Sequence, residues 1–289
     1  MFRAYCLVVA CLVVGLVAGC GGTNSALVGS NGQGADSTGL ANGVTLPAAL
    51  QTDPALSSSG SKIVGPQLVL NAQPLYTTVS AGHVSWFRLP VFTSPKQFIV
   101  TLTQMVEQNT DLYVLGTPNA GSFGLLGSST RTATRLDHQD YDDFSVPDWV
   151  YLSRPASTPA SAGQVAVYHV PGGVATLNEF RIELDAVTAL VPDGATRHNT
   201  VPRYDSRWYR FKALAGTYYE VLLTTVVDGD PDLFVYEGSS TGPVLMDDSG
   251  GGGGAAFRAT KTGWQYVRIY GARSVNDNAF DLSVTTPGS

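Results

Sequence analysis

The sequence predicts an all-β fold of two tandem antiparallel β-sandwiches behind a disordered N-terminal tether. Three observations predict it. Charged residues make up only 14% of the chain while 32 residues are Gly, a balance of turn formers and β-branched residues that favours strands over helices. Apolar and polar residues largely alternate in short runs bounded by turn formers. Five sequence blocks also recur in the same order, which implies duplication of one domain.

At the N-terminus, Arg3 precedes a run of about a dozen mostly apolar residues, Cys6 to Val17. Such a run has the length of a signal-peptide core and is too short to span a bilayer as a helix. It ends in Leu16-Val17-Ala18-Gly19-Cys20, which resembles the lipobox read by lipoprotein signal peptidase. Residues 1–19 are therefore expected to be removed, and Cys20 to carry lipid that holds the chain to a membrane. Cys6 and Cys11 would leave with the leader, and acylation would consume Cys20, so the mature chain is expected to have no disulfide. Its net charge of −6 becomes −7 once Arg3 is gone. No basic stripe is present, which argues against nucleic acid as a partner.

Residues 20–62 are rich in Gly, Ser, Ala and Asn and hold no aromatic residue. Too little apolar surface is present to offset the ordering entropy, so this segment is expected to be a flexible linker. As a coil it would hold the folded part roughly 35–40 Å from the membrane.

The repeat divides the remainder into a first sandwich, 63–187, and a second, 188–289. Ser85-Trp86-Phe87-Arg88-Leu89 matches Arg207-Trp208-Tyr209-Arg210-Phe211, and Phe98 to Thr103 matches Tyr219 to Thr224. Thr110-Asp111-Leu112-Tyr113-Val114-Leu115 matches Pro231-Asp232-Leu233-Phe234-Val235-Tyr236. Val165 to Tyr168 matches Val267 to Tyr270, and Phe180 to Leu184 matches Phe280 to Val284. The first copy is the longer, with extra residues between Asp111 and Val165. Trp86 and Trp208, at equivalent positions, are expected in the core.

The blocks of the second copy carry a resemblance. Trp-Tyr-Arg-Phe, Gly-Thr-Tyr-Tyr-Glu-Val, Gly-Asp-Pro-Asp-Leu-Phe-Val-Tyr, Gly-Trp-Gln-Tyr-Val-Arg-Ile-Tyr-Gly and Phe-Asp-Leu-Ser-Val together resemble the bacterial pre-peptidase C-terminal domain. The resemblance covers roughly 196–286, and 70–186 more loosely: Asn109-Thr110-Asp111 stands where the second copy has Asp230-Pro231-Asp232. It implies a jelly-roll-like sandwich, similar to the collagen-binding domains of secreted collagenases, without catalytic machinery of its own. The expectation that follows is a non-enzymatic, lipid-anchored module of the cell envelope that binds an extracellular protein or polysaccharide. Gly21 lacks the Asp that commonly retains lipoproteins at an inner membrane, so an outer membrane is the expected place if the organism has one. Two rivals are an accessory of a separately encoded secreted peptidase, and a hydrolase with its site in the first-copy insert.

Several clusters invite a chemical reading. Asp228, Asp230 and Asp232 sit at alternate positions and could offer three oxygens to Ca2+. Leu233 and Ser239 stand where an EF-hand needs Gly and an acid, so a turn at Asp228-Gly229 with Asp232 at a strand entrance is preferred. Asp137, His138, Asp140, Asp142, Asp143 and Asp148 fit no metal-ligand spacing and read as a solvated acidic loop. Gly238-Ser239-Ser240-Thr241-Gly242 fits Gly-x-Ser-x-Gly, but Pro243 follows where a helix is needed. His83, His138, His169 and His198 all precede Ser240. Asp248-Ser249 and Gly250–Gly254 lack the Gly-Lys-Ser/Thr of a phosphate loop, the nearest lysine being Lys261, and read as a flexible loop. Tyr218, Tyr219, Tyr266 and Tyr270 fall on strands, where some could form an exposed aromatic strip. No cofactor and no catalytic residue is expected; Ca2+ is the one ion the sequence leaves open.

Overall fold

A computed structural model describes residues 46–51, 65–105, 109–116, 124–129, 147–154, 163–172, 176–226, 229–238, 245–247, 252–271 and 278–287. The expected signal peptide, Cys20 and most of the expected linker lie outside these residues. Among the described residues one short helix, α1 (Ala48–Gln51), is followed by sixteen strands: β1 (Leu75–Ser80), β2 (Val84–Arg88), β3 (Lys96–Gln104), β4 (Thr110–Gly116), β5 (Gly124–Ser129), β6 (Asp148–Arg154), β7 (Gln164–His169), β8 (Leu177–Ala189), β9 (Arg197–Val201), β10 (Ser206–Ala213), β11 (Tyr218–Thr225), β12 (Pro231–Glu237), β13 (Leu245–Asp247), β14 (Gly252–Arg258), β15 (Gly263–Gly271) and β16 (Asn278–Thr285). No described helix is long and apolar enough to cross a membrane.

Eight strands build each sandwich, and strand n of the first corresponds to strand n+8 of the second. The first stacks β2-β7-β4-β5 on β1-β8-β3-β6; the second stacks β10-β15-β12-β13 on β9-β16-β11-β14. The period-two pattern is what buries one face: β16 alternates buried and half-buried residues along its whole length. Phe98, Val100, Ile182 and Leu184 fill the first interior, and Tyr209, Phe211, Leu282 and Val284 fill the second.

The repeat extends beyond the five blocks seen in sequence. Leu68 N donates to Arg88 O at 2.9 Å, as Leu190 N does to Arg210 O at 2.8 Å. Asn71 and Asp193 both take positive φ, 57° and 58°, and their amides donate to Leu184 O and Val284 O. Their side-chain oxygens accept from Ala186 N and Thr286 N, each at 2.8 Å. Asn and Asp tolerate the left-handed region better than other non-glycine residues, so the unit opens twice with one short-chain polar hinge.

The two sandwiches share a strand rather than a linker. β8 pairs with β1 and β3 in the first sandwich, and Val187–Ala189 at its end pair in parallel with Trp208–Arg210 of β10. One eight-stranded sheet thus crosses both units. Laid flat, β6 and β15 would stand four strand spacings apart, about 19 Å. The rings of Trp149 on β6 and Tyr266 on β15 are 5.0 Å apart. The sheet therefore folds back on itself at β8 and β10, and its outer face becomes a third buried layer, with Ile99, Trp149, Trp208, Phe234 and Tyr236 at its heart.

Trp86 and Trp208 are buried as expected, in apolar clusters on the outer faces of their sandwiches, while Phe87 and Tyr209 take the interiors. Two expectations need correction. Gly252–Gly254, expected in a flexible loop, open β14 and pair with Leu222–Thr224, because backbone hydrogen bonds extend the strand through three residues that have no side chains. Within the expected linker, Leu46, Ala49 and Leu50 pack on the first sandwich beside Trp86, Tyr113 and Tyr168, and Leu50 is fully buried. Leu46 and Leu50 supply apolar surface that a count of aromatics alone overlooks.

Candidate functional site

The densest charge in the described structure lies in the layer between the sandwiches. On β8, Phe180, Ile182 and Leu184 face the first interior, which turns Arg181, Glu183 and Asp185 to the opposite side. The second unit brings Asp205 from the turn before β10. Tyr204 holds that turn at φ 61°, its amide donating to Gly271 O at 2.6 Å while Gly271 N donates to Asp205 O at 3.1 Å. Only a glycine fits at 271: a Cβ there would lie 2.1 Å from Pro202 O.

Glu183, Asp185 and Asp205 each place a carboxylate oxygen so that all three lie within 4.8 Å of one another, and all three residues are buried. Arg268 Nε donates to Ser206 Oγ at 2.9 Å, and Ser206 Oγ donates to Glu183 Oε1 at 2.6 Å. Asp205 accepts from Ser206 N at 2.9 Å and from Arg207 at 2.8 Å. Asp185 accepts no hydrogen bond on either oxygen, nor does Glu183 on Oε2; the Arg207 guanidinium stands 3.9 Å from Asp185. Burial raises the pKa of all three. It lifts Glu183 to about 7 against the pull of Arg268, and Asp185 well above the carboxylate range, with Glu183 adding to the push. Asp205 rises less, since Arg207 opposes burial.

Three carboxylate oxygens this close together, with both Asp185 oxygens and Glu183 Oε2 lacking hydrogen-bond donors, are the hard donor type that a divalent cation such as Ca2+ takes. Glu183, Asp185 and Asp205 are the residues that would hold it. Around them the layer is stitched across both units: Trp208 Nε1 donates to Thr101 Oγ1 at 3.2 Å, Arg210 to Tyr151 OH at 2.7 Å and Gln97 Oε1 at 2.8 Å, and Arg181 to Tyr270 OH at 2.6 Å.

The sequence-derived candidates fare differently. Asp228 lies outside the described residues, Asp230 is half-buried with its amide donating to Asn278 Oδ1 at 2.8 Å, and Asp232 is buried on β12. Of the insert, Asp148 is described. Ser129 Oγ donates to it at 2.5 Å and Gln104 Nε2 at 3.4 Å, inside a network that Asn178 extends to Thr110, so it serves the first sandwich's packing. Asp137, His138, Asp140, Asp142 and Asp143 lie outside the described residues, as do Ser239 to Pro243 and Asp248 to Gly251. His169 is buried against Val79 O, His83 is exposed, and His198 pairs with Asp281. Of the four tyrosines, Tyr218 alone faces out, 45% exposed; Tyr219 fills the second interior, and Tyr266 and Tyr270 belong to the buried layer. The acidic trio had a signal in sequence: Glu183 and Asp185 alternate with apolar residues where the second copy has Ser283 and Thr285.

No family model matches the chain, and no curated protein matches it. Among solved structures it is similar to the pre-peptidase C-terminal domain of a collagenase from Bacillus anthracis, at 17% identity and TM-score 0.30, over 34% of this chain and 93% of that one. It is also similar to a periplasmic inhibitor of g-type lysozyme from Aeromonas hydrophila, at 15% identity and TM-score 0.28, over 34% and 95%. A third is the CUB1-EGF-CUB2 region of human MASP-1/3, at 10% identity and TM-score 0.20, over 73% and 99%. These scores are too low for a shared function to be read from them.

Proposed function

We propose that this chain is a non-catalytic binding or accessory module of the cell envelope, held to a membrane by lipid on Cys20 and presenting its sheet faces to an extracellular protein or envelope polymer. One observation carries the reading. Among the described residues, the clustered carboxylates and guanidinium of Glu183, Asp185, Asp205 and Arg268 are sealed between two sandwiches that share β8, at exposures of 0–5%. A buried group without access to substrate works on rigidity rather than on turnover. What such a scaffold offers to solvent is broad sheet surface, including the outer face of β14-β11-β16-β9 with Tyr218, the kind of surface on which extended chains and protein faces are held. The lipobox-like run ending at Cys20 supports export and anchoring.

The test has two arms. The full chain, immobilised, is offered solubilised envelope polysaccharide and extracellular matrix protein; retention of either supports a binding module, and turnover of an offered polymer in place of retention overturns it. In the native cell the chain should partition with membranes, and Cys20→Ser should release it. A variant that stays fully in the membrane fraction after leader cleavage removes the lipid from the proposal.

A further inference from the structure

In the second sandwich the outer face of β10-β15-β12, with Trp208, Phe234 and Tyr236, is covered by the first sandwich. The same face of the first sandwich carries their counterparts Trp86, Tyr113 and Leu115, and it is covered by Leu46, Ala49 and Leu50. A four-residue helix thus sits where, one repeat later, a whole sandwich sits. The covering face also recurs. Strand for strand, β14-β11-β16 of the second sandwich matches β6-β3-β8 of the first, and Tyr218 on it is exposed.

The repeat says what would meet what. Arg210 donates to Gln97 across the existing joint; the counterparts are Arg88, which is exposed, and Tyr218, with Glu220 two residues on. Trp208 donates to Thr101; the counterparts are Trp86 and Leu222, an apolar pair. Arg181 donates to Tyr270; the counterparts are Asp281 and Tyr168, which keep a donor and an acceptor with their roles reversed. Arg268 and Glu183, the buried charges, are replaced by Ala166 and Ser283, so no guanidinium or carboxylate would have to be desolvated at those positions. Gly254 stands at the position of Trp149, each paired in the same register to its neighbour, which leaves this face flat. Pro287, at the position of Val187, has no N–H to extend a parallel ladder, and the slot beside β2 is taken by the Gln67–Arg88 bridge. Copies would therefore meet by faces alone.

We propose that Leu46–Leu50 is a displaceable cap, and that the first-sandwich face beneath it docks the outer β14-β11-β16 face of a second copy of this chain, head to tail. A front-to-back contact leaves a free face at each end of a dimer, so association through it continues past two copies into longer chains or rings.

Sedimentation velocity on the full chain tests this. The native chain is expected to stay monomeric, and Leu50→Arg, which expels the cap, to give a mass that grows with concentration. Adding Leu222→Arg on the opposite face should return Leu50→Arg to the monomer. Because Leu50 is fully buried, Leu46→Arg is run beside it: Leu46 is only partly buried, and circular dichroism confirms that each variant keeps its sheet. In the uncapped chain, Arg88→Cys with Tyr218→Cys should form a disulfide between copies, and either cysteine alone should not give the ladder of oligomers. Folded uncapped variants that remain monomeric at about 100-fold higher concentration overturn the proposal. Association that survives Leu222→Arg does so too, because the partner face would then be a different one.

Discussion

Burying a carboxylate without a hydrogen bond costs several kcal/mol unless it takes a proton or a cation, and Asp185 is buried with neither oxygen bonded. The cation reading predicts that Ca2+ stabilises the folded chain. At about 100 times its dissociation constant a ligand adds roughly 2.7 kcal/mol, which for a chain of this size raises the melting temperature by about 5 °C or more. Calorimetry with Ca2+ and then chelator reads this directly. Asp185→Asn should lose the shift, and an equal shift in that variant would show that the ion binds elsewhere. Asp111 poses the same problem on the first sandwich's outer face. Burial pushes its pKa up to about 6, and the 3.0 Å hydrogen bond from Tyr113 OH only partly opposes it. The folded chain holds this proton more tightly than the unfolded chain, whose Asp titrates near 4. Its contribution to stability is therefore full below about pH 4 and is lost as the pH rises through about 6, a change of up to about 3 kcal/mol. Asp111→Asn should flatten the stability–pH curve between these values relative to the native chain. An unchanged slope would mean that Asp111 stays ionised.

At the scale of single elements, the strands were legible where one-sided burial imprints period two, as in β16, and where the repeat places the same run twice. β14 was not, because Gly252-Gly253-Gly254 carries no side-chain pattern and enters the strand through its pairing with β11, leaving Ala255 and Phe257 to face the core. The opening hinge of each unit was also hidden. Leu68 to Asn71 and Leu190 to Asp193 share their geometry through backbone hydrogen bonds and one positive φ, which tolerate different side chains between. Most of the candidate site escaped for a related reason: Glu183 and Asp185 belong to one unit and Asp205 to the next, and only the parallel pairing of β8 with β10 brings them together. The aspartates that did stand out, Asp230 and Asp232, lie close in sequence yet are not part of this trio. The turn presenting Asp205 yields a sharp element-level test. Gly271→Ala forces a Cβ into Pro202 O, and backbone must move on one side or the other. It should cost about 3 kcal/mol or more in chemical denaturation, a loss that belongs to buried, strained positions, and should weaken any Ca2+ shift along with it. Gly216→Ala is the control for glycine replacement at a turn with open space around it, where only the φ of 80° resists.

Across the whole molecule, a shared strand and a buried aromatic layer should make two sandwiches behave as one folding unit. Tandem domains on a flexible linker unfold independently, each with its own midpoint. Here unfolding the second sandwich alone would strip partners from Val187–Ala189 and expose the far side of Ile99, Trp149 and Tyr151. It would also leave Arg181, Glu183 and Asp185 without the groups that surround them. Trp149 is the keystone of that layer, with ring centroids 5.4 Å from Trp208, 5.5 Å from Tyr236 and 5.0 Å from Tyr266. It touches the second sandwich without entering either interior, so its removal taxes the joint more than the units. The native chain should melt in a single calorimetric transition whose van't Hoff and calorimetric enthalpies agree. Trp149→Ala should cost about 3–5 kcal/mol, the usual loss for a buried aromatic, and should split the transition in two as the sandwiches lose their coupling. A native chain that already shows two well-separated transitions would mean that neither β8 nor the aromatic layer couples the sandwiches, and a variant that merely shifts a single transition would mean that β8 carries the coupling without the aromatic layer.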